Sequence, residues 1–302
     1  MTWVKRGRLL DGGPTAWSLS HAAVPIATVL RDGTVRVHFS ARDAENRARI
    51  GFADFDPTRW GAPLRISAKP SLDLGDLGTF DDHGVTTSWS LAHGGRLYHY
   101  YTGWSLGVTV PFYLMAGLAV SDDDGETFAR VSQAPFLGRL AVDPLLTASP
   151  CVLRDGGIWR MWYVSGTRWE PAMSPPRHYY NVRYAESDDG LAWRRLGRTA
   201  VDFEQTGEYA IAHPCVLKDA GVYRMWYSYR GDAYRIGYAE SRNGIDWARH
   251  DERAGVGPSE SGWDSEMVEY AHVFDCAGRR YMVYNGNGYG RSGFGLAEWQ
   301  PD

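Results

Sequence analysis

The sequence predicts an all-β protein, a five-bladed β-propeller of four-stranded antiparallel blades whose last blade is closed by the N-terminal strand. Three observations predict it. The stretch from Tyr209 to Trp247 reads as one module: apolar, aromatic-rich runs at 215–218 and 223–229 are split by Asp219-Ala220-Gly221, and those at 235–240 and 246–249 by Asn243-Gly244. That gives four short strands joined by tight turns. Parts of this module recur, because SPCVL from Ser149 returns as HPCVL from His213, and RMWY from Arg160 returns from Arg224, both 64 residues on. A third-strand signature, small-apolar-Ala, begins near Ile50, Ala116, Val182, Ile236 and Phe294, with spacings of 66, 66, 54 and 58 residues.

The chain ends fit the same scheme. The fifth copy stops at Trp299, just after its third strand, and TWVKRGRLL from Thr2 resembles the fourth-strand segments AWRRLGRTA from Ala192 and DWARHDERA from Asp246. Residues 2–10 are therefore expected to supply the outermost strand of the last blade, covering an edge that would otherwise stay unpaired. No Pro/Ser-rich linker or charge run interrupts the period, so residues 1–302 are expected to form one domain.

Composition narrows the function classes. A net charge of −4 without a basic tract points away from nucleic acid and anionic membranes. The N-terminus lacks a secretory apolar region and no 18-residue apolar run occurs, so a soluble, cytoplasmic protein is expected. Cys151 and Cys215 share one repeat position, which marks them as small buried strand residues rather than a disulfide or metal pair. The 13 tryptophans are mostly blade packing, as at Trp162 and Trp226, although aromatic rings also stack on pyranose faces.

In a propeller the residues leading into each inner strand and those following each second strand share one rim, where ligand sites collect. Blade one offers His21, Arg42 and Asp43, and blade two Asp81, Asp82, His83 and Trp104. Blade three offers Asp143, Arg168 and Glu170, and blade four Glu208, His213 and Arg230. Blade five offers Glu266, Glu269, Tyr270 and His272, with Asn287 and Arg291 in a glycine-rich loop. Two long connections, 105–113 and 171–180, are candidate roofs over the cleft.

Arg42, Arg168, Arg230 and Arg291 converging on one mouth repel one another unless acids or an anionic ligand compensate them. Bidentate recognition of carboxylate or phosphate is what guanidinium suits; the plainer alternative is a clasp with a rim acid, as between Arg230 and Asp232. His21, His83, His213 and His272 beside carboxylates raise the question of a divalent metal. They come from four blades with no short ligand spacing, so no cofactor is required by the pattern and hydrogen bonding to sugar hydroxyls is favoured. SDDDGETF from Ser121, with looser versions from Ser187 and Ser241, is explained by side chains capping a glycine turn.

The chain resembles the five-bladed propeller glycosidases: the arabinanase and xylosidase family 43, the invertase and levansucrase families, and the mannoside phosphorylases. The likeness is most specific at HPCVLKDAGVYRMWYSYRG from His213, at WDSEMVEYAHVF from Trp263 and at YMVYNGNGYGR from Tyr281. It implies the fold and a carbohydrate ligand. Those families seat catalytic acids on inner strands, often as Asp before Pro, whereas here the matching places are taken as Ile26, Thr86, Ser149, His213 and Tyr270. Acids must then come from neighbouring positions: Glu269 as general acid, Asp82 as opposing base, with Asp143 and Glu208 in reserve. A separation of roughly 6.5–9.5 Å would give inversion and about 5–5.5 Å retention; a salt bridge from Glu269 to Arg291 or Arg230 is the non-catalytic alternative.

The expected function is hydrolysis, or transglycosylation, of a small anionic glycoside in the central cleft, which requires a carboxylate pair facing an open pocket. A phosphorylase, with arginines holding inorganic phosphate and a single acid, is the first alternative. A non-catalytic carbohydrate-binding propeller, expected if arginines occupy every rim acid, is another, and a metal-dependent reaction on a sugar-like metabolite is a fourth.

Overall fold

The computed structural model describes residues 2–13 and 15–300. Strand β1 (Thr2–Leu10) is followed by β2 (Ser20–Val29), β3 (Val35–Arg42), β4 (Ala48–Phe55) and β5 (Arg65–Ile66). A second set comprises β6 (Gly84–His93), β7 (Arg96–Leu106), β8 (Phe112–Ser121) and β9 (Ala129–Arg130), and a third β10 (Thr147–Asp155), β11 (Ile158–Glu170), β12 (Arg177–Ser187) and β13 (Arg194–Val201). The fourth is β14 (Ala210–Asp219), β15 (Val222–Arg230), β16 (Tyr234–Ser241) and β17 (Ala248–Arg249); β18 (Glu269–Cys276), β19 (Arg279–Asn285) and β20 (Phe294–Gln300) end the chain.

Within each set the strands pair antiparallel in chain order. Strand β1 lies outside β20, paired from Thr2 opposite Gln300 to Leu10 opposite Phe294 with register shifts between Lys5 and Gly7 and between Arg8 and Leu10. The first strands of successive sets are neighbours, β2 beside β6, β6 beside β10, β10 beside β14 and β14 beside β18, and β18 lies beside β2 again. The architecture is all-β, and no described helix is long and apolar enough to cross a membrane.

The repeats have a physical cause. Four of the first hairpins turn on Gly94-Gly95, Gly156-Gly157, Ala220-Gly221 and Ala277-Gly278, with positive φ at both residues, the twist that two-residue hairpins need. The third-strand signature carries glycine at 51, 117, 237 and 295 because an aromatic ring lies flat against the backbone there. A Cβ on Gly237 would sit 2.5 Å from the Tyr227 ring, and one on Gly295 2.5 Å from Trp263. Cys151 and Cys215 are free and buried among Met161, Trp162, Met225 and Trp226 in the largest core cluster. Burying each such large apolar side chain stabilises by roughly 1.5–3 kcal/mol.

Polar clasps tie the sets at their outer side. In three of them a carboxylate ahead of the first strand is joined to a tyrosine of the second strand and a cation of the fourth, and in one more two carboxylates divide these partners. Asp81 accepts from Tyr101 (2.9 Å) and Arg130 (2.8 Å). Asp143 accepts from Tyr163 (3.0 Å), Ser165 (2.7 Å), Arg183 (3.2 Å) and Arg195 (3.1 Å). Asp264 accepts from Tyr284 (3.0 Å) and Lys5 (2.7 Å). In the fourth set Arg249 bridges Glu208 (2.8 Å) and Asp251 (2.6 Å), and Asp251 takes the Tyr227 hydroxyl. The first set has Phe39 at the tyrosine position, stacked on Trp17.

Candidate active site

The first strands also share a bulge near the cavity end, and it decides what faces the axis. Register shifts fall between Ala23 and Ile26, Thr87 and Trp89, Ala148 and Cys151, Ala212 and Cys215, and Glu269 and His272. Four of these bulges put a non-glycine residue at positive φ: Val24 (52°), Ser149 (44°), His213 (50°) and Tyr270 (54°). Each is sparsely populated backbone, worth of order 1–3 kcal/mol, and persists only where the surroundings over-determine it. Here the surroundings are hydroxyl and amide groups of the preceding second strand. The Thr87 amide donates to Ser40 (2.9 Å), that of Ser149 to Thr102 (3.0 Å), that of Tyr270 to Ser228 (2.8 Å) and that of Val24 to Asn285 (2.6 Å).

The five axial positions are therefore Val24, Thr87, Ser149, His213 and Tyr270, and all of them line a cavity of about 440 Å³. This corrects the sequence register in two blades. Ile26 pairs with His38 and is fully buried, leaving Val24 on the axis, and Thr86 lines the wall one residue from the bulge.

Of the residues singled out from sequence, Arg42, His83, Trp104, His213, Arg230 and Tyr270 line this cavity. The two long hairpins contribute Phe112 from one, and His178 with Tyr180 from the other. These aromatics form a wall: Trp104 meets Phe112 at 5.1 Å, and His178 stacks on Tyr180 at 5.0 Å with only 6° between their planes. Sequence reasoning missed Tyr180, Tyr234 and Tyr289, because third-strand tyrosines read as core and Tyr289 sits in a glycine-rich loop. The Tyr180 and Tyr234 hydroxyls share a 2.6 Å hydrogen bond. Burial pushes the Tyr180 phenol up to about 12.

Most of the suspected acids are engaged elsewhere. No Asp or Glu is among the described residues that line the cavity. Asp81, Asp143 and Glu208 are held in the clasps described above, which fixes the fold and takes Asp143 and Glu208 out of reach of a substrate. Asp82 accepts the Gly78 amide at 3.0 Å, outside the cavity wall, so it is not placed opposite Glu269 as a base. Asp43 is gripped by Arg47 (2.9 Å) and Arg49 (2.5 Å), which, against the opposing effect of partial burial, hold its carboxyl down at about 2.

Other candidates serve the scaffold as well. His272 is buried with Nε2 3.1 Å from the Ala27 carbonyl oxygen and its ring 5.0 Å from Trp89. Asn287 receives the Glu266 amide at 2.8 Å and donates to the Gly262 carbonyl at 3.0 Å. Arg168 lies 3.9 Å over the Tyr179 ring, and Glu170 stands opposite Arg177 in the β11–β12 ladder. His21 and Arg291 stand beside Arg42 without lining the cavity. Among the described residues no group of three or more His, Cys, Asp or Glu is disposed to hold a metal ion.

Glu269 differs from every other acid here. It is fully buried one residue before Tyr270, and neither carboxyl oxygen has a hydrogen-bond partner. Burial raises its pKa well above the carboxylate range, and the nearby Arg230 charge and Tyr289 backbone amide offset this only in part. Arg230 has no carboxylate partner either; it lies 5.2, 5.3 and 5.2 Å from the ring centres of Tyr209, Tyr234 and Tyr289, and its Nε makes no hydrogen bond. His213 lines the same cavity with both ring nitrogens unpartnered, and burial holds its pKa down at about 3. His178 is similarly lowered to about 4, first by burial and then by Arg230 and Arg177. These two imidazoles are thus neutral, and Arg42 and Arg230 bring permanent positive charge to the cavity.

The fold comes first: it is the architecture seen in propeller glycoside hydrolases, including one of family 43. A solved structure described as a glycoside hydrolase superposes with a TM-score of 0.77 at 18% identity, over 99% of this chain and 92% of that one. A thermostable family-43 glycoside hydrolase superposes with a TM-score of 0.68 at 16% identity, over 97% and 94%. Identities this low carry the fold alone.

The chain belongs to the family of the Mycobacterium tuberculosis proteins named Uncharacterized protein MT1551 and Uncharacterized protein Rv1502, to which it is 42% and 41% identical over 98% of its length and 99% of theirs. Over 118 residues, 37% of this chain and 38% of the other, it is 31% identical to the 1,2-beta-oligomannan phosphorylase of Thermoanaerobacter sp. strain X514. No family model matches the sequence.

Proposed function

We propose that the chain is one domain, a closed ring of five four-stranded blades, whose axial cavity cleaves a small glycoside by transferring the glycosyl group to inorganic phosphate. The ring reading is supported by the return of β18 to β2 and by the Asn285 side chain holding the Val24 amide, the same contact that Ser40, Thr102 and Ser228 make one set earlier. The phosphorolytic reading rests on one observation. Among the described residues Glu269 is the acid of this region with no ion pair and no side-chain hydrogen bond, while the cavity arginines Arg42 and Arg230 pair with no carboxylate. Hydrolysis by inversion needs a second carboxylate to activate water, whereas phosphate brings its own nucleophilic oxygen and its own charge.

In this mechanism Arg230 holds the phosphate, as guanidinium suits a tetrahedral oxyanion. A phosphate oxygen attacks the anomeric carbon, the bond to the leaving oxygen breaks, and that oxygen takes a proton from the Tyr180–Tyr234 hydroxyl pair of the cavity wall, which Glu269, buried behind it, re-supplies. The proton lost by the attacking phosphate restores the acid. Glu269 stays protonated at neutral pH because burial disfavours its charged form. The hydrogen-bonded hydroxyls of Tyr180 and Tyr234 lie within its electrostatic reach and offer the proton a path into the cavity. The partial identity to an oligomannan phosphorylase supports the same reading. Hydrolysis is the second reading, favoured by the many glycoside hydrolases that share the fold.

Release of inorganic phosphate from hexose 1-phosphates in the presence of sugar acceptors, and its reversal, tests the assignment. Phosphate-dependent turnover that falls about 10²–10⁴-fold in a folded Glu269→Gln variant is the expected result. Turnover that needs no phosphate would return the protein to hydrolysis, and sugar binding without turnover by either route would make it a carbohydrate-binding module.

A further inference from the structure

The Arg230 site uses one of two cationic ends of the cavity. Arg42 closes strand β3 at the other end, where its Nη1 donates to Asn46 at 2.9 Å. The β2–β3 ladder sets Ser20 opposite Arg42, which brings His21 alongside, and His21 turns back at φ 64°. Gly12 then draws in the last member, since a Cβ there would meet the Arg291 carbonyl oxygen and lie 2.9 Å from the His21 amide nitrogen. Arg42 thus stands at the cavity wall with His21 and Arg291 gathered immediately behind it. They feel one another: the His21 pKa is lowered to about 4, by burial first and then by Arg42 and Arg291, and Arg42 is itself lowered by burial and by Arg291.

Elsewhere this protein resolves such repulsion with carboxylates. Arg36 and Arg65 share Asp54, and Arg47 and Arg49 share Asp43. Asp43 is the next residue after Arg42, yet its oxygens are turned to Arg47 and Arg49 and to the Glu45 and Arg47 amides. Arg42 is left half-buried, facing the cavity and without an acid. The surroundings of Arg230 are different ones, Tyr209, Tyr234 and Tyr289, and Tyr270 lies within electrostatic reach of both arginines.

We infer that Arg42 and Arg291, with His21 beside them, form a second anion site that holds a phosphomonoester carried by the glycoside itself. The inference rests on the reading of the cavity as a glycoside site with phosphate at Arg230. Two guanidiniums match the two charges of a phosphomonoester, and neutral His21 adds an N–H donor. The substrate class is then a small phosphorylated glycoside, its sugar held beside Tyr270 with its own phosphate at Arg42 and the attacking phosphate at Arg230.

Calorimetric titration of the full chain separates the two sites without needing turnover. Inorganic phosphate should bind twice per native chain, once in Arg42→Gln, once in Arg230→Gln and not at all in the double variant. Hexose 6-phosphate should lose at least tenfold in affinity in Arg42→Gln, with a similar direction in Arg291→Gln, and change little in Arg230→Gln. None of these arginines holds a carboxylate, so an unchanged thermal midpoint certifies the fold. A single phosphate in the native chain that Arg42→Gln retains, or two phosphates retained in Arg42→Gln, overturns the second site. Phosphate binding that Arg42→Gln abolishes and Arg230→Gln leaves intact would overturn the Arg230 assignment instead, while keeping this one.

Discussion

Asp143 and Glu269 are both fully buried carboxyl groups near the head of a blade, yet their surroundings are opposite. Asp143 receives four side-chain donors, two of them arginines; Glu269 receives none. A buried carboxylate with every lone pair answered strengthens a fold, and one with none answered is held protonated, which is a state useful for giving a proton away. Burial alone does not distinguish an acid that builds from an acid that reacts. The donors do.

The largest test of that contrast removes each acid in turn. Asp143→Ala leaves Arg183, Arg195 and Tyr163 facing one another without an anion, and should destabilise by about 3–5 kcal/mol in urea denaturation. Glu269→Gln should lose turnover without lowering the denaturation midpoint, and at neutral pH should raise it, because the amide escapes the cost of holding a buried carboxyl protonated. A destabilised Glu269→Gln with intact turnover would erase the distinction. Within the clasps, Tyr163→Phe removes one hydrogen bond to a charged acceptor and should cost about 1.5–3 kcal/mol, against about 1 kcal/mol for Tyr234→Phe, which loses a neutral one.

pH sharpens the comparison further. Buried His213 titrates at about 3, and His38 and His272 at about 4, against roughly 6.5 when unfolded. The unfolded chain therefore binds protons that the folded one refuses, so stability is intact above about pH 6.5 and falls as the pH drops toward 4, by about 1.4 kcal/mol per pH unit for each group. Glu269 acts in the other sense. Its raised folded pKa means that its contribution is present below about pH 4.3 and is lost as the pH rises through the folded value. Stability curves of native protein and Glu269→Gln should share the acid limb and separate on the alkaline side. The smallest effect belongs to the surface: Arg96 and Asp122 pair at 2.8 Å but are 57% and 73% exposed, and Arg96→Ala should change stability by less than about 1 kcal/mol.

The strand pattern was legible in the sequence because it is written in backbone requirements. Positive-φ turns need glycine or its substitutes, and a ring lying on a strand needs glycine beneath it, so both recur at fixed positions. The site was harder to read. Asp81, Asp143 and Glu208 sit where rim acids belong, and nothing local says that Tyr101, Tyr163 and Arg249 will take them. The tyrosine of RMWY and the arginine of the fourth strand were the available signal, since both repeat alongside the acids. The axial position was misplaced at Ile26, although Val24-Pro25 matches Ser149-Pro150 and His213-Pro214. Arg230 was visible as an exposed-looking cation, but its three tyrosines come from distant segments that only the fold brings together.

The bulges that aim Ser149, His213 and Tyr270 at the axis bear on how this framework could be refurnished. At Ser149 and Tyr270 the left-handed backbone is held by hydrogen bonds from the neighbouring strand and not by the side chains that occupy it. Among non-glycine residues, asparagine and aspartate tolerate that conformation best. The Ser149 position is thus one where this framework would accept an acid at the axis, and Ser149→Asp would be received with less backbone strain than the serine it replaces.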